Sequence, residues 1–210
     1  MRKKILLEIQ ASVREEGSIS RRLSRKFIDE WYSYNPNIKH VIRDVGINPP
    51  AHPTELWTKA NSTVPEERTL EMRDALAASE ELINELLLAD YILLGIPIYN
   101  HGVPSNFKAY IDNIVRINRT FKFDRNSLTF HGLVKSKKVL IINPSAANYS
   151  SQTPMSSMDF CEPYLRTIFN YIGITDIECV KVPDQFMPEE IRNKAIENAD
   201  AQLIELAKNW

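Results

Sequence analysis

The chain has 210 residues, 26 basic and 27 acidic, and a formal net charge of -1. That length suffices for one α/β domain with a buried sheet, residues 1–210, and the balanced charge gives no reason to expect nucleic acid or a membrane surface as partner. No apolar run nears the ~20 residues that span a bilayer, and Cys161 and Cys179 lack C-x-x-C or metal-ligand spacing, so the expectation is a cytoplasmic protein with reduced packing thiols.

Taken in order, Lys4 to Gln10 reads as a first strand. Glu8 and Gln10 interrupt its apolar pattern, which argues against a leader peptide. Residues 11–17 form a loop, and Ser18 or Ser20 can cap a helix to about Tyr34, with Leu23, Phe27, Ile28 and Trp31 on its inner face. Lys39 to Asp44 is a short second strand. Residues 45–65, with Pro49, Pro50, Pro53 and Pro65, read as a long irregular connection, and such stretches serve as covers or subunit contacts. Glu66 to Ala89 follows a long helical pattern.

The run Tyr91-Ile92-Leu93-Leu94 has no polar alternation and reads as a third strand buried on both faces, closed by Gly95 and Pro97. Pro104 opens a helix that runs to about Arg116, with Phe107, Tyr110, Ile111 and Ile114 on one face. Residues 117–135 read as a second irregular insertion. Lys138 to Asn143 is the fourth strand, residues 144–157 a loop rich in Ser, Ala and Asn, and Phe160 to Tyr171 a helix ended by Gly173 as a left-handed cap. Ile177 to Val182 is the fifth strand and Pro188 to Trp210 the last helix. Strands alternating with helices predict a doubly wound, five-stranded parallel sheet of order 2-1-3-4-5, helices on both faces, with a switch point between strands one and three.

The loops after strands one, three and four would meet there. The first carries Ser12, Ser18 and Ser20 directly before a helix, a pattern that suits a phosphomonoester, with Arg21 and Arg22 available as charge. On spacing alone, Ser18 and Ser20 read first as plain helix caps. The second presents Tyr99, Asn100 and His101, an aromatic face with free backbone amides, although a lone His reads as a surface residue. The third, Pro144-Ser145-Ala146-Ala147, lets a ring edge approach its amides, or is simply a surface loop. None of the six glycines forms G-x-G-x-x-G or a P-loop, so a dinucleotide fingerprint is not expected. His40, His52, His101 and His131 lie scattered, with no metal spacing. A phosphate at one end, a ring face between and amides at the far rim describe a flavin mononucleotide.

Three segments carry a family likeness. P-I-Y-N-x-x-V-P-S-x-x-K-A-Y-I-D at 97–112, P-Y-L-R-T-I-F-N-Y-I-G-I-T-D-I at 163–177 and S-x-x-x-x-x-S-x-S at 12–20 resemble the FMN-dependent NADH:quinone oxidoreductases known as azoreductases, within the flavodoxin-like superfamily of NAD(P)H dehydrogenases. The resemblance implies that Ser12, Ser18, Ile19 and Ser20 hold the FMN phosphate. It places Ile98, Tyr99, Asn100 and His101 beside the isoalloxazine, with the Asn100 amide near N5 and Tyr99 against the ring, and Pro144 to Ala147 at the pyrimidine edge. Phe123 and Tyr171 match positions lining the acceptor pocket. It further implies NADH or NADPH as donor, a quinone or azo compound as acceptor, a ping-pong hydride relay and a homodimer with sites at the interface. The third loop departs from the family's Ser-Arg-Gly-Gly, having lost the arginine and both glycines, and His101 stands where an aromatic residue is common. An electron carrier or a flavin-free scaffold is the rival reading; carriers of this fold are usually acidic and shorter.

Overall fold

The computed structural model describes residues 2–210. In chain order the elements are β1 (Ile5–Gln10), α1 (Ile19–Tyr34), β2 (Lys39–Asp44), α2 (Glu55–Ser62), α3 (Leu70–Leu88), β3 (Tyr91–Gly95) and α4 (Ser105–Ile114). There follow β4 (Phe121–Asp124), β5 (Thr129–Gly132), β6 (Lys138–Pro144), α5 (Glu162–Ile172), β7 (Asp176–Val182) and α6 (Glu189–Asn209). The main sheet has the order β2-β1-β3-β6-β7, all parallel, which is the expected 2-1-3-4-5. The chain therefore has the flavodoxin-like α/β fold.

The sheet is buried on both faces because its strands alternate between two cores. Leu7, Ile9, Ile92, Leu94, Val139 and Ile141 face α3, α4 and α5, where Ile83, Phe107, Tyr110 and Phe169 complete one cluster. The intervening residues Leu6, Leu93, Leu140 and Ile142 face α1 and α6. There Trp31 meets Tyr91 and Trp210 edge-on, with ring centroids 4.9 and 5.3 Å apart. The interruption at Glu8 and Gln10 is real but internal. Gln10 Nε2 donates to Glu8 Oε1 at 2.7 Å, and Glu8 Oε2 pairs with His40 Nε2 at 2.8 Å. Gly95 on the neighbouring strand makes room for this group, since a Cβ there would fall 2.2 Å from Gln10 Oε1.

Both stretches expected to be irregular contain regular structure. Within 45–65 lies α2, capped by Thr54, whose hydroxyl accepts from the Trp57 amide. At two turns it is too short for its periodicity to outweigh four flanking prolines. The helix expected from Glu66 begins at Leu70 because Thr69 caps it; residues 65–67 make a single 3-10 turn. Within 117–135 lies the antiparallel hairpin β4–β5, closed where Asp124 Oδ1 accepts the Asn126 amide. The hairpin seats on the end of α5 by glycine against glycine. A Cβ on Gly132 would lie 2.1 Å from the Gly173 nitrogen, and Gly173 takes the expected left-handed cap at φ 105°.

Arg116 joins α2, α3 and α4. It is fully buried, 2.8 Å from Glu80 Oε1 and 3.0 Å from Ser79 Oγ, with Nε donating to Asn61 Oδ1 at 2.9 Å and its guanidinium 5.8 Å from the Trp57 ring. Desolvation lowers its pKa, opposed mainly by Glu80. Removing the guanidinium leaves a hole among three helices and takes a donor from Asn61 and Ser79, while Glu80, partly exposed, keeps Arg119. Arg116→Ala is expected to cost about 3 kcal/mol in urea unfolding at an unchanged m-value; a loss under about 1 kcal/mol would show that Arg116 is not a structural tie.

Candidate active site

The carboxyl ends of β1, β3, β6 and β7 share one sheet edge, and a cavity of about 160 Å³ opens there. Its walls include Ser12, Ser18, Ile19, Ser20, Ile98, Tyr99, Pro144, Ser145 and Ala146, so three separate loops meet as expected.

The first loop is held rigidly. Ser12, Ser18 and Ser20 are 3, 8 and 1% exposed, so their hydroxyls face inward. Ser18 is the α1 cap, yet its bond from the Arg21 amide is long at 3.4 Å, and its other neighbour is Ser20 Oγ at 3.2 Å. The Ile19 and Ser20 amides have no acceptor among the described residues. Capping and ligand holding are thus compatible roles for Ser18. Arg21 is not free charge. It bonds Asp44 through both terminal nitrogens, the Ser12 carbonyl at 2.8 Å and the Arg14 carbonyl at 2.9 Å. Burial alone would raise the Asp44 pKa; Arg21 and the Ile47 and Gly46 amides outweigh it and hold that pKa below the ordinary value.

The second loop is a two-residue turn. Tyr99 and Gly102 exchange backbone bonds of 3.0 and 3.1 Å, with Asn100 at φ 47° and His101 at φ 67°. Both central residues in the left-handed region make this a type I′ geometry, which Asn tolerates and His accepts at some cost. His101 is held there: its Nδ1 lies 2.9 Å from Tyr149 Oη, and its carbonyl accepts the Phe160 amide at 2.9 Å. The Asn100 and His101 amides are left without acceptors among the described residues. Asn106, in the first turn of α4, donates to the Ala11 carbonyl at 3.1 Å and ties this segment to the first loop.

The third loop corrects one expectation. The Ser145 amide is not available to a ring, because it extends the sheet by donating to the Val182 carbonyl at 3.0 Å. Ala146 and Ala147 keep amides unpaired among the described residues, and Ser145 Oγ pins the turn by donating to the Ala147 carbonyl at 2.7 Å.

A fourth loop, after β7, was not anticipated. Gln185 and Phe186 donate their amides to the Ser145 and Ala146 carbonyls and line the cavity. Gln185 Oε1 is buried with no partner among the described residues, while the Phe186 side chain is 83% exposed at the mouth. The strand order is the signal that would have found them, since a parallel sheet delivers every such loop to one edge. Arg14 and Gly17 also line the wall.

Asn100, His101 and Ala147 stand beside the cavity in the same turns but are not wall residues. Phe123 and Tyr171 are elsewhere. They join a cluster on the hairpin and α5, with Phe130 centroids 4.8 and 5.5 Å from theirs, and do not line the cavity of their own chain. Cys161 and Cys179 are unpaired; burial pushes the Cys161 thiol up to about 12 and raises Cys179 as well, so neither is a reactive thiolate. Among the described residues no cluster suits a metal ion, and no helix is long and apolar enough to cross a membrane.

A family model described as flavodoxin-like fold matches residues 3–206. An FMN-dependent NADH:quinone oxidoreductase of Nostoc punctiforme is 40% identical over 205 residues, covering 98% of both chains. Another of that description, from Hydrogenovibrio crunogenus, is 35% identical over 198 residues, covering 94% of this chain and 96% of its own. Among solved structures, an azoreductase of Bacillus anthracis superposes with a TM-score of 0.90 at 21% identity, over 99% of this chain and 100% of that one. An FMN-dependent NADH-azoreductase of the same organism, in complex with FMN, gives 0.84 at 22% identity over 97 and 99%. The chain belongs to the family of FMN-dependent NADH:quinone oxidoreductases, on a flavodoxin-like fold.

Proposed function

We propose that residues 1–210 form one FMN-binding domain that passes hydride from NADH or NADPH to quinones, and to azo compounds, by a ping-pong cycle in which donor and acceptor use one place in turn. One observation carries this reading: among the described residues, the amides of Ile19, Ser20 and Ala146 in the cavity wall, and of Asn100, His101 and Ala147 in the turns beside it, lack partners. Unpaired donors in that arrangement suit a ligand with an anionic tail and a carbonyl-bearing rim. The orphaned Gln185 Oε1 in the same wall is a further unmet demand for a ligand donor. Bound there, FMN would supply two-electron hydride chemistry that no side chain offers.

The chain's part is binding, orientation and electrostatics. Ser18 and Ser20 hydroxyls, with the Ile19 and Ser20 amides, would hold the phosphate in the field of α1, Ser12 closing the pocket. Ile98 and Tyr99 would pack on the ring, and the Asn100 amide would serve its reacting edge, with His101 beside it. The Ala146 and Ala147 amides would offset negative charge at the pyrimidine edge, framed by Pro144 and Ser145. The cavity of about 160 Å³ is smaller than the ~300 Å³ at the low end for whole ligands. One ring face must therefore stand open, which an alternating donor and acceptor require.

A homodimer would complete that open face. Phe186 at the mouth is 83% exposed and Phe130 on the hairpin 56%, apolar surface that a second protomer would cover. In that assembly Phe123 and Tyr171 would line the acceptor pocket of the partner rather than their own. The cytoplasm suits the free thiols. The carrier and scaffold alternatives are less well supported, since the balanced charge speaks against the carrier and the unpaired amides against the flavin-free scaffold.

Three outcomes test this. Purified protein with FMN should be yellow, bleach with NADH or NADPH and recolour with a quinone; colourless protein that ignores FMN would refute the reading. Ser18→Ala with Ser20→Ala should weaken FMN about a hundredfold, near tenfold per hydroxyl; unchanged affinity would remove the phosphate assignment. Asn100→Pro should lower turnover about a hundredfold, while Asn100→Gly, which keeps the amide and the positive φ, should retain it. Equal losses in both would move the role from backbone to side chain.

A further inference from the structure

We propose that Tyr149 is a positioning residue of the ring site: by bonding His101 it holds the Asn100–His101 turn left-handed, aims the Asn100 amide, and so sets the reduction potential of bound FMN. This rests on FMN being held there as proposed above, with the Asn100 amide at the ring's reacting edge. Tyr149 itself is not in the wall of the ring cavity. It lines a neighbouring cavity of about 380 Å³ that shares Ile98 and Ser145 with the ring cavity. Its influence on the ring therefore passes through another residue, and His101 is the one its hydroxyl bonds.

That bond is one link in a longer tie. Tyr149 is buried, with Oη 2.9 Å from His101 Nδ1, and the two rings meet edge-on with centroids 5.8 Å apart and planes at 81°. A hydroxyl both donates and accepts, so the pairing holds whichever imidazole nitrogen carries the proton. Tyr149 is fixed in turn by its neighbour. Asn148 Oδ1 accepts the Ser150 amide at 3.0 Å, and the Asn148 carbonyl accepts Thr153 Oγ1 at 2.7 Å. Asn148 Nδ2 donates to Asp184 Oδ2 at 3.3 Å, in the loop after β7. The third and fourth loops thus set where His101 lies.

The turn needs that hold. His101 at φ 67° occupies a sparsely populated region, and a side chain as large as imidazole stays there only when its surroundings impose it. Two bonds do so: the Tyr149 hydroxyl on its ring and the Phe160 amide on its carbonyl, the latter at 2.9 Å. The paired backbone bonds of Tyr99 and Gly102 close the turn but do not reach the peptide between Asn100 and His101. A type I′ turn requires positive φ at both central residues, so a relaxed His101 would change the turn type and redirect the Asn100 amide. The reacting nitrogen of a flavin accepts a hydrogen bond when oxidised and carries hydrogen when reduced. An amide aimed at it therefore favours the oxidised form, and a misdirected one gives up that preference.

The test takes the full-length protein, Tyr149→Phe, His101→Gly and the double variant. For each it measures the affinity for oxidised FMN, the reduction potential of the bound flavin and the thermal unfolding midpoint. Tyr149→Phe keeps the ring and loses only the hydroxyl. It should bind oxidised FMN about tenfold more weakly with the reduced form unaffected, which for a two-electron couple is a rise of about 30 mV. Glycine adopts positive φ unaided, so in the His101→Gly background the same change should move neither affinity nor potential. A potential unchanged by Tyr149→Phe, whatever happens to the unfolding midpoint, would overturn the proposal and leave Tyr149 a fastening of the fold. An equal shift in the His101→Gly background would overturn it in favour of direct contact between the hydroxyl and the flavin. Protein that takes up no FMN at all would instead sink the proposed function, and this role for Tyr149 with it.

Discussion

A parallel sheet ends with an obligation that its own ladder cannot meet. At the carboxyl edge the strands run out of partners, and every amide beyond them must find an acceptor or face the loss of a hydrogen bond. This chain meets part of that demand internally. Ile96 and Ile98 reach β6 and its end, Ser145 reaches Val182, and Gln185 and Phe186 return to the third loop. Among the described residues, the amides left without a protein acceptor include Ile19, Ser20, Asn100, His101, Ala146 and Ala147, in the turns after β1, β3 and β6. The site is the remainder of the sheet's hydrogen bonding.

Those turns must keep their shape without a ligand, and each has a specific restraint. Arg21 clamps the first by gripping Asp44 at the end of β2 and two loop carbonyls. Asn106 ties that loop to α4, and Asn143 Nδ2 holds the Ile96 carbonyl at 2.7 Å, so the neighbouring turn starts from a fixed point. His101 is fixed in a left-handed conformation by Tyr149 and Phe160. Such side-chain bonds to backbone carbonyls cost little entropy at binding because they are made on folding. Farther away, Arg116 gathers three helices, and the glycine contact at 132 and 173 seats the hairpin.

Much of this was legible in the chain. The apolar run 91–94 has no alternation because both its faces are covered, and that alone identified a central strand. Ser18, Ser20 and Pro104 marked helix starts within a residue or two of where they lie. Other features depend on pairings that no local pattern encodes. The loss of the Ser145 amide follows from the register of β6 against β7, and the presence of Gln185 follows from strand order. Helix α2 was hidden by surrounding prolines. The hairpin was hidden too, although Phe121 and Phe123 alternate as a strand requires. Phe123 and Tyr171 meet around Phe130 only through the pairing of β4 with β5 and the packing of that hairpin on α5, which no local pattern encodes.

The most direct measurement of the central claim is amide hydrogen exchange by NMR, with and without FMN. Exchange at Ile19, Ser20, Asn100, His101, Ala146 and Ala147 should be fast in the free protein and slow together on saturation, while Ser145 should be protected throughout. Protection of a different set, or FMN binding that leaves these six amides exchanging freely, would contradict the account.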